Sequence, residues 1–282
     1  MIYVLCSGGL GNQMFQYAYK KHLEEKGKEA LLDTSYFKHS NVHSGYILGS
    51  AFGIDGSDKK DHFNTHWKIR YSMMSKLGLK QMGSVRMERP DSEIDETKIG
   101  KNAVLYGFWQ GERFFTDVKD KVKQRFKFKN LSAQTVDLGK KMMGEESVAV
   151  HIRRGDYLKY SKYVNLSSTK YYNHALNIIR NQHSNPRLYI FSDDIAWCKQ
   201  SGLFDENVSY IDFNDGVHAY EDMFLMTRCN AIITANSTFS WWGGYLGNHQ
   251  IVIRPEKFLV NWSAVQDRRL YPQEWISCRI GE

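Results

Sequence analysis

The run Val148-Ala149-Val150-His151-Ile152-Arg153-Arg154-Gly155-Asp156-Tyr157 sets an apolar strand-former directly against two guanidinium groups. An arginine keeps its charge at neutral pH, and its planar fork matches two oxygens of a phosphate. Ligands of parallel sheets collect beyond the carboxyl ends of buried strands. Arg153 and Arg154 stand at such an end and therefore read as an anion site for a phosphorylated group. Gly155 allows close backbone approach. Strand alternation places His151 and Arg153 on one face and Arg154 on the other. Arg153 is assigned to phosphate, whereas Arg154 has two readings, a phosphate contact or a structural pair with Asp156. His151 is either a core histidine or a site residue.

A second anion-binding element opens the chain. Strand Ile2-Tyr3-Val4-Leu5-Cys6 runs into the turn Ser7-Gly8-Gly9-Leu10-Gly11-Asn12, and a helix is predicted over Gln13 to Lys26. Free amides and the dipole at a helix start favour negative charge, and Gly9 and Gly11 carry no side chain to block a ligand. The turn is similar to a dinucleotide fingerprint, down to Asp33 at the end of the next strand, but Met14 stands at the third glycine position. Ser237 and Thr238 follow strand Ala231 to Thr234 at a third such edge. Their hydroxyls and the amides of the next helix can also hold a diphosphate.

The elements that must position these groups are plain in the second half. Strand Val148 to Ile152, helix Tyr171 to Gln182, strand Arg187 to Phe191, helix Ile195 to Ser201, strand Val208 to Ile211, helix His218 to Arg228, strand Ala231 to Thr234, a short helix near Trp241 to Leu246 and strand Gln250 to Ile253 alternate. That rhythm predicts an α/β lobe with a parallel sheet and right-handed crossovers. Trp241 and Trp242 read as packing, since consecutive helical residues point apart. Residues 36–100 show no clear period. Their Tyr46, Phe52, Phe63, Trp67 and Tyr71 are either core or lid packing or sugar platforms on an acceptor-side loop. The expected lobe boundary is Met142 to Ser147, giving lobes 1–146 and 147–259, with 260–282 returning to the first.

A length of 282 residues suits two lobes, and 42% hydrophobic against 24% charged residues is the composition of a globular protein. No apolar run approaches the roughly 20 residues that cross a bilayer, and no signal peptide is legible. A cytoplasmic location is expected, with peripheral contact at the inner membrane open. Cys6, Cys198, Cys229 and Cys278 are scattered and predict free thiols with no zinc site or disulfide framework. The formal charge of +7 fits nucleic acid, an anionic membrane or an anionic substrate. Lys119, Lys121, Lys123, Lys127 and Lys129 alternate with other residues as a solvated face or a membrane-surface contact.

Taken together, Gly8-Gly9-Leu10-Gly11-Asn12-Gln13-Met14-Phe15-Gln16-Tyr17-Ala18, His151 to Tyr157 and Asn236-Ser237-Thr238-Phe239-Ser240-Trp241-Trp242-Gly243-Gly244 resemble the signatures of bacterial α-1,2-fucosyltransferases, glycosyltransferase family 11. Tyr106-Gly107-Phe108-Trp109-Gln110-Gly111-Glu112-Arg113-Phe114-Phe115 and Ile190-Phe191-Ser192-Asp193-Asp194 extend the resemblance over almost the whole chain. It implies a GT-B-like α/β fold of two Rossmann-like lobes with the active site in the cleft between them, the first acceptor-side and the second binding donor. It also implies inverting transfer of fucose from GDP-fucose to the 2-hydroxyl of a galactose-terminated glycan in surface polysaccharide synthesis. A fucosyl linkage of another kind, such as α-1,6, and a non-catalytic glycan- or nucleotide-binding protein are the alternatives.

On that reading no nucleic-acid partner is expected, because the sugar nucleotide accounts for part of the charge. No metal or other cofactor is expected either: Arg153 and the helix start at Gly11 and Asn12 would meet the charge that grows on the leaving diphosphate. Asp193 and Asp194 are adjacent rather than spaced by one, and suit a guanine edge, a ribose or a loop amide better than a cation. Asn12 resembles the asparagine of the Gly-Asn-Gln turn in related protein fucosyltransferases and is a catalytic candidate with Arg153 and Asp156. Asp156 is the first candidate for the base, with Asp33, Glu112 and Asp117 behind it and a structural pair with arginine as the other reading. The galactoside and the oligomeric state are not legible.

Overall fold

The computed structural model describes residues 1–40, 44–63, 65–87, 95–204, 207–214 and 216–281, with only the backbone at 65, 67 and 68. The chain divides into two compact units, Met1–Lys129 and Asn130–Glu282.

The first unit contains β1 (Ile2–Leu5), α1 (Leu10–Glu25), β2 (Ala30–Asp33), α2 (Leu48–Phe52), α3 (Thr65–Lys76), β3 (Gln81–Met82), β4 (Val85–Met87), β5 (Val104–Tyr106) and α4 (Lys119–Arg125). Its sheet has the order β2-β1-β5-β4-β3, parallel except for the β3–β4 pair. The opening β-loop-α-β unit is as expected, but α1 starts earlier: Leu10, Gly11 and Asn12 form its first turn, with Asn12 N–H donating to Gly9 O at 2.9 Å. One sheet face and α3 enclose Leu5, Phe63, Met74, Val85, Met87 and Val104. β3 and β4 are two and three residues long, too short to express a period. Phe52 and Phe63 are buried, the Tyr46 hydroxyl donates to Ile54 O, and Tyr71 meets Tyr106 edge-on, so these aromatics pack; the Trp67 side chain lies outside the described residues. Lys119 and Lys121 turn to Glu112 and Glu25, at 3.7 and 2.7 Å, which suits a solvated face.

The second unit contains α5 (Ala133–Met143), β6 (Ser147–Ile152), α6 (Tyr171–Arg180), β7 (Arg187–Ser192), α7 (Ile195–Gln200), β8 (Val208–Ile211), α8 (Ala219–Met226), β9 (Ala231–Ile233), α9 (Thr238–Leu246), β10 (Ile251–Pro255), α10 (Ala264–Leu270) and β11 (Ile276–Cys278). Its sheet is parallel throughout, in the order β11-β10-β9-β6-β7-β8. The first strand thus lies inside, the next two to one side and the last three to the other. This is the doubly wound order of a Rossmann sheet, and its topological switch point falls between β6 and β9. Apolar residues of β6, β7, β9 and β10 pack against Tyr171, Tyr172, Leu176 and Ile179 of α6.

The division falls at Lys129–Asn130 rather than at 146/147. Ser132 caps α5, and its N–H and hydroxyl both donate to Glu221 Oε2 on α8, at 3.0 and 2.7 Å, which fastens α5 to the second unit. Nor does 260–282 leave that unit: β11 extends its sheet beside β10, and Trp241 Nε1 donates to Leu270 O at 3.0 Å. All four cysteines are free and buried. Among the described residues no helix is long and apolar enough to cross a membrane.

Candidate active site

In the second unit three neighbouring strands deliver the site, β9, β6 and β7. Arg153 and Arg154 follow β6, Asp193 and Asp194 follow β7, and Ser237 and Thr238 follow β9. β6 is buried along its whole length, so its end is rigidly placed.

Asp156 Oδ1 accepts from both Nε and Nη2 of Arg153, at 3.0 and 2.7 Å. Asp193 Oδ2 lies 3.2 Å from the same Nε. Burial works against the charge, yet Asp193 and Asp156 hold the guanidinium above its ordinary pKa. The two carboxylates grip one edge of the fork. Nη1 makes no hydrogen bond among the described residues and can donate to a ligand.

Arg154 points elsewhere, as alternation requires. Its Nε donates to Asp194 Oδ2 at 3.1 Å, its Nη1 to Ser167 Oγ at 2.6 Å, and its guanidinium lies 3.9 Å from the Trp197 ring centroid. The structural reading of Arg154 is the one the geometry favours, with Asp194 as partner in place of Asp156. Asp194 also caps α7 by accepting from Trp197 N–H. Asp193 Oδ1 accepts from Arg154 N–H at 2.9 Å, which is the loop-amide role. Both aspartates therefore shape the arginine loop. At Gly155 the open space belongs to Asp193, not to a ligand: a Cβ there would meet Asp193 Oδ2.

The arginine loop is tied across the switch point. The Tyr157 hydroxyl donates to Asn236 O at 2.9 Å, its ring stacks on Tyr163 at 3.9 Å, and Arg153 lies over that ring. Asn236 Nδ2 in turn donates to Val164 O and Phe258 O. Ser237 is the N-cap of α9, its Oγ accepting from Phe239 N–H, whereas the Thr238 hydroxyl makes no hydrogen bond among the described residues. His151 is 5% exposed, with no partner for Nδ1 among the described residues. Burial, with Arg153 adding to it, pushes its pKa down to about 3, so the ring is neutral at physiological pH. Any service to an anion is then that of a neutral donor.

In the first unit the glycine turn leads straight into α1, whose N-cap Gly9 offers no side chain. Gly8 is left-handed at φ 78°, and a Cβ there would stand 3.0 Å from Asn12 Nδ2. Asn12 Oδ1 accepts from Gln110 Nε2 at 3.0 Å, which orients its amide. Two fully buried glutamines one turn apart brace the loops. Gln13 donates to Gly8 O and Gly45 O and accepts from Ile47 N–H; Gln16 accepts from Ser7 N–H and donates to Gly107 O.

Asp33 is buried, accepts from Ser35 N–H and pairs with His62 Nδ1. That occupies it and removes the ribose contact a dinucleotide site would need. Asp117 and Glu112 face His22 and Lys119. Sequence reasoning gives no role to Gln13, Gln16, Tyr157 and Asn236; for Gln16 the signal is a polar side chain inside the apolar run Met14 to Tyr19.

The profile of the family described as Glycosyl transferase family 11 matches residues 59–279. The chain belongs to that family. This family 11 glycosyltransferase is 34% identical over 262 residues to an alpha-1,2-colitosyltransferase of Escherichia coli, an alignment covering 88% of each chain. Over 98% of its length it is 28% identical to the complete O-antigen biosynthesis glycosyltransferase WbnK of the same species. With the human galactoside alpha-(1,2)-fucosyltransferase 1 it shares 30% identity over 164 residues, 52% of this chain and 44% of the human one. Its fold is GT-B-like: the fucosyltransferase NodZ from Bradyrhizobium matches with a TM-score of 0.54 at 14% identity, covering 87% of this chain and 92% of NodZ.

Proposed function

We propose that this chain transfers L-fucose from GDP-fucose to the 2-hydroxyl of a galactose-terminated glycan, with inversion and without a metal ion, in bacterial surface polysaccharide synthesis. The observation that carries this reading is Arg153 at the switch point of a Rossmann-ordered sheet, clamped on one edge by Asp156 and Asp193 and open at Nη1. The acceptor oxygen bonds to the anomeric carbon while the bond from that carbon to the β-phosphate oxygen breaks, and GDP leaves with the electron pair. Arg153 and the amides of α9 at Ser237 and Thr238 meet the growing negative charge, a preorganised electrostatic role. Asn12, fixed by Gln110, and the turn at Gly9 and Gly11 serve the same transfer. Asp156 keeps Oδ2 outside its arginine pair and receives the hydroxyl proton there. The first unit is acceptor-side and the second binds donor. The enzyme works in the cytoplasm, where sugar nucleotides are made.

The test is incubation with GDP-fucose, chelator and a panel of galactosides, followed by linkage analysis. An α-1,2-fucosylated product with chelator present is expected. An α-1,6 product would transfer the assignment to another linkage, and GDP binding without release on any galactoside would indicate a binding protein. A second reading has its own support: the colitosyltransferase at 34% identity favours a donor whose sugar lacks the 3-hydroxyl of fucose. Turnover of GDP-colitose far faster than that of GDP-fucose would select it.

A further inference from the structure

We propose that the exposed face of α3 docks the first unit onto an anionic lipid surface. One side of α3 is committed to the sheet, where Met74 is wholly buried. Beside that buried side Ile69, Met73 and Leu77, spaced four apart, form a single stripe at about 3.6 residues per turn. Their exposures are 55%, 47% and 65%. Leu77 N–H donates to Met73 O at 3.0 Å and so keeps the stripe in helical register to its end. Scattered exposed apolar residues are ordinary, but an aligned row on one helix marks a contact surface.

The charge around the stripe identifies the occupant. Arg70 and Lys76 flank it, Lys80 follows it, and all three are exposed. At the amino end of α3 lies a cavity of about 270 Å³ lined by Lys60, His62, His66 and Arg70, with Tyr3 and Asp61. Asp61 is taken by His39 at 2.8 Å and His62 by Asp33, whereas Lys60, His66 and Arg70 have no carboxylate partner among the described residues. Lys60 lies over the Tyr3 ring, 4.9 Å from its centroid. A row of apolar side chains beside Lys60 and Arg70, which have no carboxylate partner among the described residues, matches acyl chains beneath anionic headgroups. A second copy of the chain would bring like charges together, and a nucleic acid would leave the aliphatic row wet.

Co-sedimentation of the full chain with vesicles tests this. Binding is expected to vesicles containing phosphatidylglycerol, to weaken as salt rises, and to be much weaker on phosphatidylcholine alone. The triple variant Ile69→Glu, Met73→Glu, Leu77→Glu should lose binding by roughly tenfold or more, and Lys60→Gln with Arg70→Gln by roughly fivefold per charge. Unchanged thermal melting and GDP titration in both variants show that the fold persists. Equal binding to neutral and anionic vesicles, or full binding by the triple variant, would overturn the proposal. So would a dimer that the triple variant abolishes in the absence of any vesicle binding.

Discussion

Gly155 and Asp193 are in such close apposition that a methyl group on the glycine would stand 2.5 Å from Asp193 Oδ2. Asp193 holds both the Arg154 amide and the Arg153 guanidinium, so the glycine sets the position of the whole arginine loop. Gly155→Ala should cost about 1–3 kcal/mol by overpacking and weaken GDP binding as well. Urea denaturation and GDP titration of the variant check the two effects, and an unaltered protein by both measures would show that Asp193 can yield freely.

Arg153→Ala removes the donor at Nη1 and takes from Asp156 and Asp193 the guanidinium they share. GDP affinity should fall by about 1.5–3 kcal/mol, the scale of a hydrogen bond to a charged group. Isothermal titration reads it, and an unchanged dissociation constant would remove Arg153 from the site.

Asp156→Asn separates holding the arginine from accepting a proton. The amide oxygen can still receive the Arg153 N–H groups, so GDP affinity should stay within roughly threefold while turnover falls by about 10²–10⁴, the usual contribution of a general base. Asp156→Ala should lose both. Full turnover in the asparagine variant would leave Asp156 with the clamp alone.

Gln16→Leu takes hydrogen bonds from the Ser7 amide and the Gly107 carbonyl, both buried. Each orphaned group costs about 1–3 kcal/mol, enough to lower the melting temperature clearly. A melting curve matching the parent would mean that water replaces the glutamine.

Two histidines tilt stability in opposite directions with pH. His151 is held near 3 by burial and by Arg153, below its value in the unfolded chain. The unfolded state alone therefore takes up the proton as pH falls from about 6.5 toward 3, and stability declines by at most about 1.4 kcal/mol per pH unit. His22 is raised by its hydrogen bonds to Glu96 and Asp117 against the pull of burial. Its contribution is whole below about 6.5 and is lost as pH rises through the raised value. Urea midpoints across pH should show a flatter acid limb for His151→Leu and a flatter neutral-to-alkaline limb for His22→Gln. Parallel curves for the variants and the parent would contradict both assignments.

The alternating half of the chain was legible because each strand there is a continuous apolar run bounded by turns; Val208–Ile211 coincides with its prediction, and β6 and β7 each differ by one residue. Within residues 36–100, β3 and β4 are too short to carry a period, and α3 mixes polar and apolar residues around its circumference. The place of Arg153 at the end of β6 was readable from the strand pattern alone. The role of Asp194 was not, because the fold pairs Arg154 with a residue forty positions away while Asp156 lies only two positions from it in sequence. Likewise the first turn of α1 looked like a loop because glycines obscure helical propensity.

Gln13 and Gln16 spend their amides on the chain's own backbone, so their part in the most recognisable stretch of the sequence, Gly8 to Ala18, is to fix its shape. A descendant that kept both glutamines but exchanged Arg153 for a neutral residue would still fold and still look like kin, yet on the proposed reading would hold a departing nucleotide far more weakly. Ancestry is therefore written largely in residues that hold shape, whereas the proposed catalysis rests on the few groups they support, the arginine after β6 and its Asp156 clamp among them.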